Sequence, residues 1–199
     1  MLNMIKGAYV PKAESLKEAF EIHDNAIHAN VNAEKISELF RNFIEEHSNE
    51  PLFFILELPC NINEEEPDEN GVINEYHKNV YYIDGLNSAQ ALSILETKGE
   101  LLINDGLSCF GFGGHESQDE LMKGNYNVCT MFSKNEQAVR AFFGKHNIPA
   151  TDKLITAWDT FDKEHPGVSS SYSVNGERIE DLVTYFGEWG IYLAERRVD

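Results

Sequence analysis

GELLINDGLSCFGFGGHESQDELMKGNYNVCTMFS, residues 99–133, decides the fold of this chain. Three apolar runs stand out: Leu101–Ile103, Leu107–Phe112 and Val128–Phe132. Each needs the others in order to be buried, so the stretch reads as strand, turn, strand, Gly-rich bend, short helix, strand. Asn104-Asp105-Gly106 has the composition of a tight hairpin turn between the first two runs. Ser117 and Glu120 have capping-box spacing ahead of Leu121 and Met122, which predicts the short helix. Tyr126–Phe132 alternates at Val128, Thr130 and Phe132, as a strand with two unlike faces does. The same alternation sends Phe110 and Phe112 to one side of their strand and Cys109 and Gly111 to the other.

Towards the N-terminus, Leu16, Phe20, His23 and Ile27 fall at helical spacing and predict a helix over 12–28, opened by Pro11. Ile36, Leu39, Phe40, Phe43 and Ile44 form the apolar face of a second helix over 33–47, with Asn32 as its cap. Residues 1–48 are therefore expected to be an N-terminal helical hairpin. Leu52–Leu58 is continuously apolar apart from Glu57, which suits a central strand buried on both faces. Asn79–Ile83 reads as a short strand turned by Asp84-Gly85. A helix of about ten residues is expected to follow, capped by Ser88 and stopped by Gly99. Beyond the central stretch, helices are expected over 135–146, 151–161 and 177–187, and a last strand over 191–194. The expected architecture is one α+β domain spanning 1–199, a mixed sheet with packed helices.

The chain has 199 residues, 42% of them hydrophobic, enough for a sizeable core. Its net charge of −18 comes from 34 acidic against 16 basic residues. Phosphates are repelled by such a surface, so nucleic acid and anionic membranes are not expected partners; the charge suits a basic protein partner or serves solubility alone. The three cysteines form no CxxC and fit reduced thiols in a cytoplasm. No apolar segment suits a signal peptide or approaches the roughly 20 residues that span a bilayer.

The bend GFGGH, Gly111–His115, is the stretch most like a site. Its glycines could bring backbone N–H groups to a phosphate at the start of a helix, but Glu116, Asp119 and Glu120 follow and would repel one. No Lys-Ser or Lys-Thr completes a P-loop. The plainer reading is a sharp strand-to-helix turn with positive φ. Cys109, His115 and Asp105 could act as nucleophile, base and orienting acid of a small hydrolase-like enzyme. A cysteine within an apolar strand is more often a small buried hydrophobe. No metal-ligand spacing occurs around the seven histidines; His115 and Asp119 are the best pair, and neither metal nor cofactor is expected. Trp158 and Trp189, each beside acids, read as core tryptophans, with interface anchors as the alternative.

DGLSCFGFGGHESQDELMKGNYNVCTMFS (105–133), with ITAWDTF (155–161) and EWGIYLAERR (188–197), resembles small acidic bacterial proteins of unassigned activity. That group includes immunity partners of polymorphic or contact-dependent growth-inhibition toxins. The resemblance implies a cytoplasmic inhibitor of a basic toxin and carries over no functional residue. The acids placed to steer such a partner are Glu64, Glu65, Glu66, Asp68 and Glu69, five within six residues, and the group Glu116, Asp119 and Glu120. The alternatives are the enzyme at Gly111–His115 and a structural or regulatory module without a cleft.

Overall fold

The computed structural model describes residues 1–23 and 26–198. The elements in chain order are β1 (Ala8–Tyr9), β2 (Ala19–His23), β3 (Ala26–Asn30), α1 (Ala33–Glu46), β4 (Leu52–Pro59), β5 (His77–Leu86), α2 (Ser88–Asn104), β6 (Cys109–Gly114), β7 (Glu120–Lys123), β8 (Val128–Phe132), α3 (Glu136–Lys145), β9 (Val168–Ser169), β10 (Ser173–Val174), β11 (Glu177–Arg178), α4 (Asp181–Tyr185) and β12 (Tyr192–Val198). The fold is α+β. Eight strands form one sheet in the order β12-β5-β4-β6-β7-β8-β3-β2. Every ladder in it is antiparallel. The two-residue strands pair separately, β1 with β9 and β10 with β11.

One core holds the layers together. Leu52, Phe54, Leu56 and Leu58 of β4 join it with Phe110 and Phe112 of β6, Leu121 of β7 and Ile27 and Ala29 of β3. The buried faces of all four helices enter the same core, so the helices cover one side of the sheet. Phe40 of α1 packs at 4.7 Å from Phe110 and 6.2 Å from Phe112. Phe143 of α3 stacks on Phe20 at 4.9 Å, and Phe186, beyond α4, meets Phe54 at 5.6 Å. Ile55, Val80 and Cys109, which point the other way, are buried but belong to neither apolar cluster. No helix among the described residues is long and apolar enough to cross a membrane.

Several expectations change. The N-terminal helical hairpin is replaced by the β2–β3 hairpin; Asp24 and Asn25, within the expected 12–28 helix, lie outside the described residues. Phe20, Ile27 and Ala29 point into the core with strand periodicity, and long-range pairing of β3 with β8 overrides the helical spacing. The 33–47 helix forms as α1, but Asn32 gives its side-chain oxygen to the Asn3 N–H, 2.7 Å away, rather than to the helix. The sheet is antiparallel rather than mixed. Leu101–Ile103 is no strand: α2 runs through Gly99 to Asn104, and all three residues are buried on it. Its cap is Asn87, in a reciprocal capping box with Gln90. The short helix expected after Ser117 is strand β7. Residues 151–161 hold only a 3-10 turn at Ala157–Thr160. The 177–187 helix is shortened to α4 and a 3-10 turn at Phe186–Trp189.

Candidate functional site: the uncovered face of the sheet

Strand alternation builds the side of the sheet that the helices leave uncovered. There β4 presents Phe53, Ile55 and Glu57 opposite Gly113, Gly111 and Cys109 of β6. Tyr82 of β5 lies opposite Ile55, and Tyr192 of β12 lies beside Tyr82. On the other flank, Met122 and Glu120 of β7 are followed by Thr130 and Phe132 of β8, and His28 of β3 comes next. Gly111 and Gly113 have a steric reason to be glycine. A Cβ on Gly111 would lie 2.1 Å from the Met122 sulfur, and one on Gly113 would lie 2.2 Å from the Phe53 ring. Their absence lets both neighbouring side chains lie across β6.

Two adjoining depressions share Tyr82. One, of about 390 Å³, has Tyr82, Met122 and Phe132 in its walls and holds Glu57, Glu120 and Arg197. The other, of about 380 Å³, lies among Phe53, Tyr192 and His115, with Asp84 and Glu195 on it. The rings form a strip: Tyr192 stacks near Tyr82 at 6.4 Å with 27° between planes, Tyr82 lies 5.9 Å from Phe53, and Phe53 lies 5.2 Å from His115. A wider hollow of about 660 Å³ continues past Cys109 and Thr130 to Tyr76 and Trp158.

Charge on this face is unevenly compensated. The Arg197 guanidinium pairs with Glu57 and lies 3.6 Å from Glu195. Among the described residues, the Glu120 carboxylate makes no ion pair or side-chain hydrogen bond. Burial, and then the negative charge of Glu57, push its carboxyl above the ordinary value, against the pull of Arg197. Burial and then the Glu120 charge raise the Tyr82 phenol. Burial lowers the His28 imidazole, whose Nδ1 lies 3.1 Å from Thr130 Oγ1. Asp84 accepts the Tyr192 hydroxyl and lies 3.2 Å from His115 Nε2.

The structure does not bring Cys109, His115 and Asp105 together. Cys109 opens β6 and His115 follows its end, about 20 Å away at ordinary strand rise. Asp105 is buried below α2, where its carboxylate accepts the N–H groups of Leu107, Ser108 and Tyr172 at 2.9–3.0 Å. Lys123, fully buried, donates to the carbonyls of Asp105 and Ser108 at 2.6 and 3.1 Å. Asp105 is thus the centre of a structural junction. Gly111–His115 is no helix start either. Gly111, Gly113 and Gly114 lie in β6 without positive φ, and the N–H groups of Glu116 and Ser117 are already taken by Glu50 at 2.6 and 2.9 Å. Burial opposes ionisation of Glu50, but the bonds from Ser117 and Glu116 together hold its carboxyl below the usual value. Among the described residues no three metal-binding side chains gather: His115 pairs with Asp84, and Asp119 with His47 at 3.3 Å.

The acids singled out for steering separate into groups. Glu64, Glu66, Asp68 and Glu69 are exposed. Glu65 is buried, accepting His77 N and Nδ1 at 2.7 and 2.8 Å and pairing with Arg196 at 2.8 Å, so it anchors the loop instead. Glu116 is exposed, Asp119 is half-buried against His47, and Glu120 belongs to the uncovered face. Trp158 is 58% exposed rather than core, set edge-on to Tyr126 at 4.9 Å. Glu57, Tyr82, Tyr192 and Arg197 escaped sequence reasoning; the one usable signal was a lone carboxylate inside the apolar run 52–58. No protein family, no curated protein and no solved structure matches this chain.

Proposed function

We propose that this is an acidic cytoplasmic binding protein that neutralises a basic protein partner, in the manner of an immunity protein, and that the partner docks on the uncovered face of the sheet. The observation that carries the reading is the composition of that face. Phe132 and Tyr192 stand 42% and 47% exposed on it, beside more carboxylates than bases. Exposed aromatic side chains supply binding energy at interfaces, and surrounding acids speed the encounter with a basic surface. The exposed acids Glu64, Glu66, Asp68 and Glu69 add to the same long-range attraction.

The test is to recover the partner from the native cell, identify it, and measure association of the two purified chains at two ionic strengths. The expected partner is basic, and its association slows as salt rises. Replacing Phe132 and Tyr192 by serine is expected to speed dissociation, and neutralising the four exposed loop acids to slow association. A partner without basic character, or one indifferent to Phe132 and Tyr192, refutes the reading.

A further inference from the structure

We infer that the ring strip Tyr192–Tyr82–Phe53, together with Glu120, recognises arginine side chains of the partner in preference to lysine. The inference rests on the reading of this face as the docking surface of a basic protein, and it names the chemistry that the surface selects.

Three observations carry it. First, the face already holds a guanidinium. Arg197, on the edge strand β12, lines the depression that Tyr82 walls, pairs there with Glu57 and lies 3.6 Å from Glu195 of the adjoining one. A guanidinium–carboxylate pair therefore already forms on this face. Second, the negative charge is not used up. Among the described residues, Glu57, Glu120, Asp84 and Glu195 line the two depressions together with Arg197, His28 and His115. Glu120 feels Arg197 at a distance but makes no ion pair among the described residues. Third, the surface between the carboxylates is aromatic and partly exposed, with Tyr82 and Tyr192 nearly parallel.

Flat rings next to a carboxylate without a direct ion pair discriminate between the two basic side chains. A guanidinium is planar and weakly hydrated. It stacks on a ring face while its fork of N–H donors engages a carboxylate. An ammonium is compact and strongly hydrated, and gives up more water for the same seat.

The experiment uses the full chain and short peptides of equal length in which glycine alternates with arginine, lysine or citrulline. Binding is followed by NMR, on the Met122 methyl and the Thr130 amide. The arginine peptide is expected to shift both signals and to bind at least about fivefold more tightly than the lysine peptide. The uncharged citrulline peptide is expected not to bind. Glu120→Gln, which keeps the shape of the side chain, should weaken the arginine peptide several-fold. Tyr82→Leu should remove the preference for arginine, and thermal melts of both variants report whether the fold is intact. Equal affinity for arginine and lysine overturns the inference while leaving the basic-partner reading in place. A preference for arginine that survives Glu120→Gln also overturns it, because recognition then lies elsewhere; so does the absence of arginine binding from a face that still binds the intact basic partner.

Discussion

The assignment of the two sheet faces is tested by removing one phenylalanine from each. Phe112 is fully buried, with Phe54 5.2 Å to one side and Phe40 of α1 6.2 Å above. Its backbone is held on both flanks, opposite Phe54 on β4 and Leu121 on β7. The sheet therefore cannot close around a missing ring, and Phe112→Ala should cost about 3–5 kcal/mol. Part of that is the loss of two ring pairs, each worth about 0.5–1.5 kcal/mol. For a domain of ordinary stability, about 5–15 kcal/mol, this is a large fraction. Phe132 lies two strands away on the opposite face and is 42% exposed. Phe132→Ala should therefore cost only about 0.5–1 kcal/mol. Urea melts followed by circular dichroism measure both: the midpoint should drop sharply for Phe112→Ala with the slope unchanged, and barely for Phe132→Ala. A loss below about 1 kcal/mol for Phe112→Ala, or equal losses for the two variants, would refute the division into a covered and an uncovered face.

Other outcomes follow from the charged groups. Glu120 has its folded-state pKa raised above the ordinary 4.5, so it costs stability as pH rises through that raised value. Glu120→Gln should raise the urea midpoint at neutral pH, and the gain should vanish in acid once the carboxyl is protonated. Glu65 is the opposite case. Burial opposes its charge, but the bonds from His77 and Arg196 together hold its carboxyl below 4.5, so its contribution is present at neutral pH and is lost as pH falls through the depressed value. Glu65→Gln should lower the midpoint at neutral pH, whereas Glu66→Gln in the exposed loop should leave it in place. Asp105→Ala strips three N–H groups of their acceptor, that of Ser108 buried and those of Leu107 and Tyr172 part-buried, and should cost roughly 3 kcal/mol, read by the same melts.

Parts of the fold are legible because local pattern and tertiary demand agree. In α1 the apolar residues recur at helical spacing and all five are buried. In β4 the continuous apolar run matches a central strand flanked by β5 and β6, with residues 54–58 all buried. Elsewhere the two disagree. Leu16, Phe20, His23 and Ile27 suit a helix, yet Phe20 and Ile27 are core residues of two paired strands, and only pairing with β8 decides the matter. Leu101–Ile103 is an apolar run short enough for a strand. It belongs to the last turn of α2 because Gly99, which looks like a helix stop, is tolerated within a helix buried against α1. A local glycine cost of about 1 kcal/mol is small beside that burial.

The site was less legible than the fold because it is a product of strand order. Glu57 and Arg197 are 140 residues apart and meet only because β12 returns to the edge of β5. Tyr82 and Tyr192 become neighbours by the same return. No spacing rule can pair residues across that interval. Periodicity also cannot say which side of a sheet the helices will cover. Cys109 and His115, by contrast, are close in sequence and look like partners, but an extended strand carries its ends apart. Sequence proximity therefore suggests a grouping that the strand does not form. The informative irregularity is chemical: a glutamate inside an otherwise apolar strand is tolerated only where a cation reaches it or the face beside it opens to water. Glu57 meets both conditions, on the face left bare and under the one arginine that folds back across it.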